Sequence, residues 1–252
     1  MIRAFVLALQ LLTRLPIPSL TTPPQPRELG LSVLFFPGVG LLIGALLAGA
    51  LLAGMHTALW LIDPGVLAAL VLMVWVLLTG GLHLDGLADT ADAWIGGQGD
   101  RERTMAIMKD PRSGPIAIVV IVLLLLTKFA ALQVLLAGDA VLVLLLAPVL
   151  GRTVIVLLLI TTPYVRPDGL GSPYATYLPR WSCSVLVLLI AVATAALLEG
   201  LGGILLAVLT INFIGLRHSL MTRLGGVTGD TLGAVCELTE MVALLVPALL
   251  AD

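Results

Sequence analysis

Seven stretches of the chain are apolar over close to the length a bilayer demands: 31–55, 64–82, 115–137, 140–162, 182–199, 203–219 and 231–251. About 20 mostly apolar residues in helical conformation cross a hydrocarbon core, so each stretch predicts a membrane-spanning helix. The sixth is the weakest, because Gly202 and Gly203 open it and Asn212 interrupts it. Ahead of them, Phe5, Leu9 and Leu12 recur at helical spacing between Arg3 and Arg14. That pattern predicts a short helix lying in the plane of the membrane interface. Pro16, Pro18 and the run Thr21-Thr22-Pro23-Pro24-Gln25-Pro26 then form a stiff connector. No small-residue cleavage site follows the first segment, so it reads as mature protein rather than a signal peptide. The apolar runs are too long and unbroken for the alternation of a membrane barrel. The expected fold is all-α: a polytopic membrane bundle of about seven transmembrane helices plus an N-terminal interfacial helix, in a single domain over 1–252.

Composition agrees and narrows the function classes. Hydrophobic residues make up 60% and charged residues 11%, against roughly 45–50% and ~25% in soluble domains. Mean hydropathy is +1.14. Thirteen basic and 15 acidic side chains cannot clothe a soluble domain of 252 residues. A soluble enzyme, a disordered chain and a nucleic-acid binder held by a basic face are thereby excluded. The net charge of -2 says little, but charge placement says more. Eleven of the 13 basic residues fall in four segments: Arg3, Arg14 and Arg27; Arg101, Arg103, Lys109 and Arg112; Arg166 and Arg180; Arg217 and Arg223. The opposite side carries Asp63, Asp139, Glu199 and Asp252 and no Lys or Arg. The positive-inside rule makes the basic side cytoplasmic, with the amino terminus inside and the carboxyl terminus outside. Cys183 and Cys236 have neither disulfide-framework nor metal-site spacing and read as two packed thiols.

Polar residues concentrate in Gly80-Gly81-Leu82-His83-Leu84-Asp85-Gly86-Leu87-Ala88-Asp89-Thr90-Ala91-Asp92. Asp85, Asp89 and Asp92 stand at i, i+4 and i+7, which places them within an arc of about 60° on one helical face. Crowded carboxylates need protons or a cation. Oxygen-only ligands select hard ions such as Mg²⁺, which is commonly shared with substrate phosphates. Gly86 and Ala88 leave room for a bulky group to approach. The expected feature is a divalent-metal site at the cytoplasmic end of the second span, and the alternative is a solvated acidic helix end. Downstream, Arg101, Arg103, Lys109 and Arg112 suit a phosphorylated substrate or, alternatively, lipid headgroups. Asp110 is a further candidate ligand, and Pro111 turns the chain there.

A second polar block follows Gly225 and Gly226. Asp230 and Glu237 stand seven residues apart on one face. Asp230 reads either as part of an anion- or metal-binding helix start or as a plain N-cap. Glu237, with Glu240 nearby, lies inside a span, where ionisable groups are functional or paired. Lys128 and Arg152 also fall within spans. Each either faces a substrate phosphate or pairs with an intramembrane acid such as Glu237. His56, His83 and His218 lack ligand spacing and read as non-catalytic.

At these residues the sequence resembles the cobalamin synthase (adenosylcobinamide-GDP ribazoletransferase) family over nearly its whole length. The resemblance rests on Thr13-Arg14-Leu15-Pro16-Ile17-Pro18, Phe36-Pro37-Gly38-Val39-Gly40 and the whole 80–92 block. It continues through Ile107-Met108-Lys109-Asp110 with Arg112 and Gly114, Lys128-Phe129-Ala130-Ala131-Leu132 and Ala147-Pro148-Val149-Leu150-Gly151-Arg152. Thr228-Gly229-Asp230-Thr231-Leu232-Gly233-Ala234 with Glu237 completes it. Ala93 and Pro111 stand where the family usually carries Gly and Ser.

The resemblance implies a Mg²⁺-dependent condensation in the bacterial cytoplasmic membrane. The 5′-hydroxyl of α-ribazole, or of its 5′-phosphate, attacks the cobinamide-bound phosphorus of adenosylcobinamide-GDP, and GMP leaves. On that basis Asp85, Asp89 and Asp92 are expected to be metal ligands, with Asp92 orienting the hydroxyl and Asp110 as a fourth ligand. Lys109, Arg112 and Arg152 are expected to hold phosphates, and Asp230 and Glu237 a second metal or the ribazole. A homo-oligomer or a complex with other enzymes of the pathway stays open. The Asp85-Gly86-Leu87-Ala88-Asp89 run is also similar to part of the CDP-alcohol phosphotransferase signature, broken here at Leu82 and Asp89. A lipid-synthesising transferase is therefore one rival reading and an ion-coupled transporter the other. The transporter would carry acids at mid-membrane in both halves rather than at one face beside basic residues.

Overall fold

The computed structural model describes residues 1–18, 20–55, 62–138 and 141–251. His56, Asp139 and Asp252, which carried expectations above, lie outside the described residues.

The amino-terminal segment is α1 (Ile2–Leu12), which buries Ala4, Leu7, Ala8 and Leu12. Arg3 donates to Glu28 over 2.8 Å and ties α1 to α2 (Pro26–Ser32). A single tight turn at 33–35 joins α2 to α3 (Phe36–Met55), so that Pro26–Leu52 runs as one apolar rod. α3 packs on α8 (Val141–Thr161), the most enclosed helix of the bundle. Their approach is set by glycine: a Cβ on Gly40 would stand 2.4 Å from the Pro148 carbonyl oxygen, and one on Gly44 2.5 Å from that of Leu145. Small residues four apart let membrane helices touch backbone to backbone, where dispersion rather than hydrophobicity holds them. Substituting Gly44 with Ala should therefore cost about 2 kcal/mol through overpacking against a backbone that cannot give way. Gly49→Ala, where the added Cβ meets nothing within 4 Å, should be close to neutral. Thermal unfolding of the two variants in detergent checks this contrast.

The second apolar run departs from its expected single span. α4 (Pro64–Thr79) starts at Asp63, whose carboxylate accepts from Gly65 N–H at 2.8 Å, and stops at Gly80. Gly80 and Gly81 are both left-handed, with φ of 64° and 69°, and α5 (Leu82–Gly96) leaves at 88° to α4. Two successive left-handed residues end one helix and re-aim the next, at little steric cost only for glycine. At 16 residues, α4 alone is about 24 Å long, short of a hydrocarbon core of ~30 Å. Six helices among the described residues are long and apolar enough to cross a bilayer, and the broken pair α4–α5 makes up to seven.

The short α6 (Arg101–Ile107), capped by Asp100, leads to α7 (Pro115–Ala137). Beyond α8 come α9 (Ser172–Thr176), α10 (Arg180–Leu197), α11 (Glu199–Leu224) and α12 (Gly229–Leu249). α11 is continuous through Asn212, so the sixth run is longer than expected. α10 and α11 form a peripheral hairpin, drawn together where Gly202 lies against the Thr194 carbonyl. Leu188, Leu189, Val192, Ile204, Ile211 and Ile214 on its outer faces are exposed, an arrangement suited to contact with lipid. No strand forms among the described residues beyond one bridge between Tyr164 and Val227.

The four basic segments meet at one end of the bundle. Arg217 donates to the Thr161 carbonyl, Arg223 to the Trp94 carbonyl, and Gly30 sits against the Tyr177 backbone. That clustering is what the charge pattern predicted.

Candidate active site

α5 is wedged between α7 and α12. Leu84 and Leu87 face inward and pack with Leu124 and Ala234. Gly86 meets the Asp230 backbone, where a Cβ would lie 2.6 Å from its carbonyl oxygen, and Gly233 meets His83. Asp85, Asp89 and Asp92 point away from the Leu84–Leu87 side of α5, onto the flank where Gly86 approaches Asp230 and where α7 begins. Asp85 is exposed, and Asp89 and Asp92 are half-buried. An apolar cavity of about 290 Å³, bounded by Leu87, Ala91 and Trp94, opens on the opposite flank. Those residues have the spacing of the acids displaced by two positions, which is ~200° of helical turn. The acids thus have no part in the cavity.

The expected trio does not hold together as a ligand set. Asp92 turns to the start of α7, where its oxygens accept from the Gly114 N–H and, at 2.9 Å, from the Ala117 N–H. Free amides and the positive end of a helix are natural partners for a carboxylate. Asp92 therefore works as the cap of a helix that begins 23 residues later along the chain, at Pro115. Among the described residues no three acidic, histidine or cysteine side chains stand grouped as they would around a metal ion.

Asp110, expected as a fourth ligand, is held by Arg112, with Nη2 to Oδ2 at 2.7 Å and Nε to Oδ1 at 2.9 Å. That fork, with the Arg112 backbone N–H, draws the Asp110 carboxyl down to about 2. Arg112 itself is largely exposed, and Lys109 lies exposed in the same turn. Both remain accessible to a ligand, although Arg112 comes with a carboxylate already attached.

Asp230 does join the α5 acids. Asp89 lies in the field of Asp85, Asp230 and Asp92, opposed by one cation, Arg166. Asp230 is not the N-cap of α12. Thr228 takes that place, in a reciprocal pair with Thr231, which leaves the Asp230 carboxylate free to face α5. Arg166 was legible only as one of two basic residues in its loop. It reaches Asp230 with Nη1 at 3.0 Å from Oδ2. Its loop is pinned to the start of α12 by Val165 N–H to Val227 O at 2.9 Å and Val227 N–H to Pro163 O at 2.8 Å.

Arg152 and Glu237 are not at this site. They belong to a buried network inside the bundle. Lys128 Nζ donates to Glu237 at 2.6 Å and Glu240 at 2.7 Å, while Arg152 donates to Glu240. Lys128 also lies over the Trp75 ring, 5.0 Å from its centroid. Arg152 has no exposed surface, and a substrate phosphate cannot reach it without unpacking α8. The expectation of a phosphate contact is corrected to the alternative weighed with it, an intramembrane pair. Two cations and two carboxylates balance there, as burial in lipid requires. His83 is buried nearby, and Cys183 and Cys236 are free and buried.

Fold and site together define a class: a polytopic membrane protein that sets carboxylates of a broken helix and of its last helix beside a loop guanidinium, at the basic end of the bundle. The chain belongs to the cobalamin-5-phosphate synthase family, whose profile matches residues 4–248. It is 53% identical over 246 residues to a protein of Pseudomonas syringae pv. syringae named adenosylcobinamide-GDP ribazoletransferase, covering 98% of this chain and 99% of that one. A protein of the same name from Ectopseudomonas mendocina is 55% identical over 248 residues, covering 96% and 97%. Another, from Pseudomonas putida, is 53% identical over 243 residues, covering 96% of each. No solved structure matches the chain.

Proposed function

We propose that this protein joins α-ribazole, or its 5′-phosphate, to adenosylcobinamide-GDP, with its site at the cytoplasmic face of a bacterial inner membrane. The ribazole 5′-oxygen bonds to the phosphorus attached to cobinamide. The bond from that phosphorus to the bridging oxygen breaks, and GMP departs with the electron pair. The hydroxyl proton passes to a carboxylate of the cluster. The observation that carries the reading is the close approach of α5 to the Asp230 backbone at Gly86, which brings Asp230, held by the Arg166 guanidinium, into the charge field of Asp85 and Asp89.

No three acids stand grouped around a common point among the described residues, but Mg²⁺ is usually held by one or two carboxylates together with substrate phosphates and water. Asp89, with Asp85 or Asp230, would supply those carboxylates, and a bound Mg²⁺ would neutralise phosphoryl oxygens. Asp92 serves differently, by locking α7 against α5 and so fixing where Asp89 points. Lys109 and Arg112 lie exposed in the turn before α7, the helix whose start Asp92 holds.

The reading is tested with purified protein in lipid nanodiscs given adenosylcobinamide-GDP and α-ribazole. GMP should appear in step with the cobamide, stop on addition of EDTA and resume with Mg²⁺. Absence of GMP release with both substrates present overturns it.

A further inference from the structure

Three cations were singled out in the sequence as phosphate contacts, and the structure leaves none of them over the acids. Arg152 is enclosed and paired with Glu240. Arg112 is forked onto Asp110. Lys109 is exposed on a turn, and no hydrogen bond or ion pair joins it to an α5 side chain among the described residues. Arg166 is the cation whose charge acts on Asp89, and it touches Asp230 directly.

Its setting suits a ligand. The Arg166 side chain retains 25% of its exposure, and that of Asp230 24%. Of its five N–H donors, only one Nη1 hydrogen is given to the protein among the described residues. The others remain for a planar, doubly oxygenated partner, which is how guanidinium groups grip phosphates. Nor does the group swing on a loose loop. Two backbone hydrogen bonds clamp 163–165 to Val227. Gly226 lies so close to the Pro163 carbonyl that a Cβ there would sit 2.2 Å from it. Tyr164 closes the loop from within, its hydroxyl packed where a Cβ on Gly171 would lie 2.6 Å away. A long basic side chain on a fixed backbone, salted to one acid and bordering another, is pre-organised.

We infer that Arg166 is a substrate-binding residue that grips the diphosphate of the nucleotide-activated substrate, holding it against Asp89 and Asp230. The inference rests on the reaction proposed above and adds the residue that receives the charge of the departing group. In the free protein Asp230 holds the guanidinium in place. On binding, a diphosphate oxygen takes up the donors that Asp230 leaves unused.

Direct binding and turnover separate this inference from the reaction itself. Adenosylcobinamide-GDP and phosphate-free adenosylcobinamide are titrated into nanodisc-embedded protein, with free corrinoid followed by its absorbance. Arg166→Gln should weaken the first at least about tenfold, as loss of charge-assisted hydrogen bonds predicts, and leave the second within twofold. Arg166→Lys should recover part of the loss, and the KM for α-ribazole should stay within twofold in both variants. Unchanged binding of adenosylcobinamide-GDP by Arg166→Gln overturns the inference. So does equal weakening for both corrinoids, or a fall in thermal midpoint that Arg166→Lys does not repair, since either marks a purely structural loop contact. Arg166-dependent binding without GMP release by the wild type upholds the inference and rejects the reaction. GMP release with Arg166-independent binding does the reverse.

Discussion

Asp89→Asn removes turnover while leaving the protein in the membrane. The substitution keeps the shape of a half-buried side chain and deletes one charge, so packing of α5 is preserved. What is lost is the carboxylate on which the charges of Asp85, Asp230 and Asp92 all act. Loss of a single preorganised electrostatic group at a reacting centre typically costs 10²–10³ in rate, and a shared metal ligand stands at the upper end. GMP release should therefore fall by roughly 1000-fold, with membrane fractionation and thermal midpoint unchanged. Asp92→Asn should behave differently, because an amide oxygen can still accept one of the two α7 amide hydrogens. Near-normal turnover in Asp85→Asn, Asp89→Asn and Asp230→Asn alike would remove the acids from the chemistry.

Glu240→Ala is expected to be the most damaging change away from the site. It strips Arg152 of its carboxylate and Lys128 of one of two, among side chains that are almost wholly buried. Removing one partner of a buried pair costs about 3–5 kcal/mol, because the other charge stays behind. That is a large fraction of the roughly 5–15 kcal/mol by which a protein is stable. The protein should fail to accumulate, or unfold at a much lower temperature in detergent. Replacing both partners, Arg152→Met with Glu240→Gln, should be less harmful than Glu240→Ala alone, since no cation is stranded on α8. Equal stability of Glu240→Ala and wild type in a thermal scan would show that the network carries little of the fold.

The crossings and the acidic face were legible because both are local. A span needs only an apolar run, and a shared face needs only the 3.6-residue repeat that aligns Asp85, Asp89 and Asp92. What those residues touch was not legible. Asp92 meets Gly114 and Ala117, 22 and 25 residues on. Arg166 meets Asp230 at a separation of 64, and Lys128 meets Glu237 at 109. Such pairings depend on the order of helices around the bundle, which periodicity does not encode. The break between α4 and α5 did carry a signal: adjacent glycines at 80 and 81, just before a polar stretch, mark a left-handed helix stop. Reading the apolar run straight through to Leu82 missed it. Arg152 was misassigned because a buried cation announces only that it has a partner, and substrate and glutamate are equally good candidates on paper.

The buried quartet also fixes an order of events during synthesis. Lys128 and Arg152 leave the ribosome on α7 and α8, whereas the two glutamates that neutralise them come on α12, Glu237 and Glu240 lying 109 and 112 residues after Lys128. Until that helix arrives, the nascent protein holds two unmatched cations at bilayer depth, a state costing several kcal/mol for each. Docking of α12 relieves that state and in the same motion carries Asp230 up to α5. Completion of the scaffold and assembly of the acids are thus one step, so a chain stalled before α12 lacks both its charge balance and its third acid.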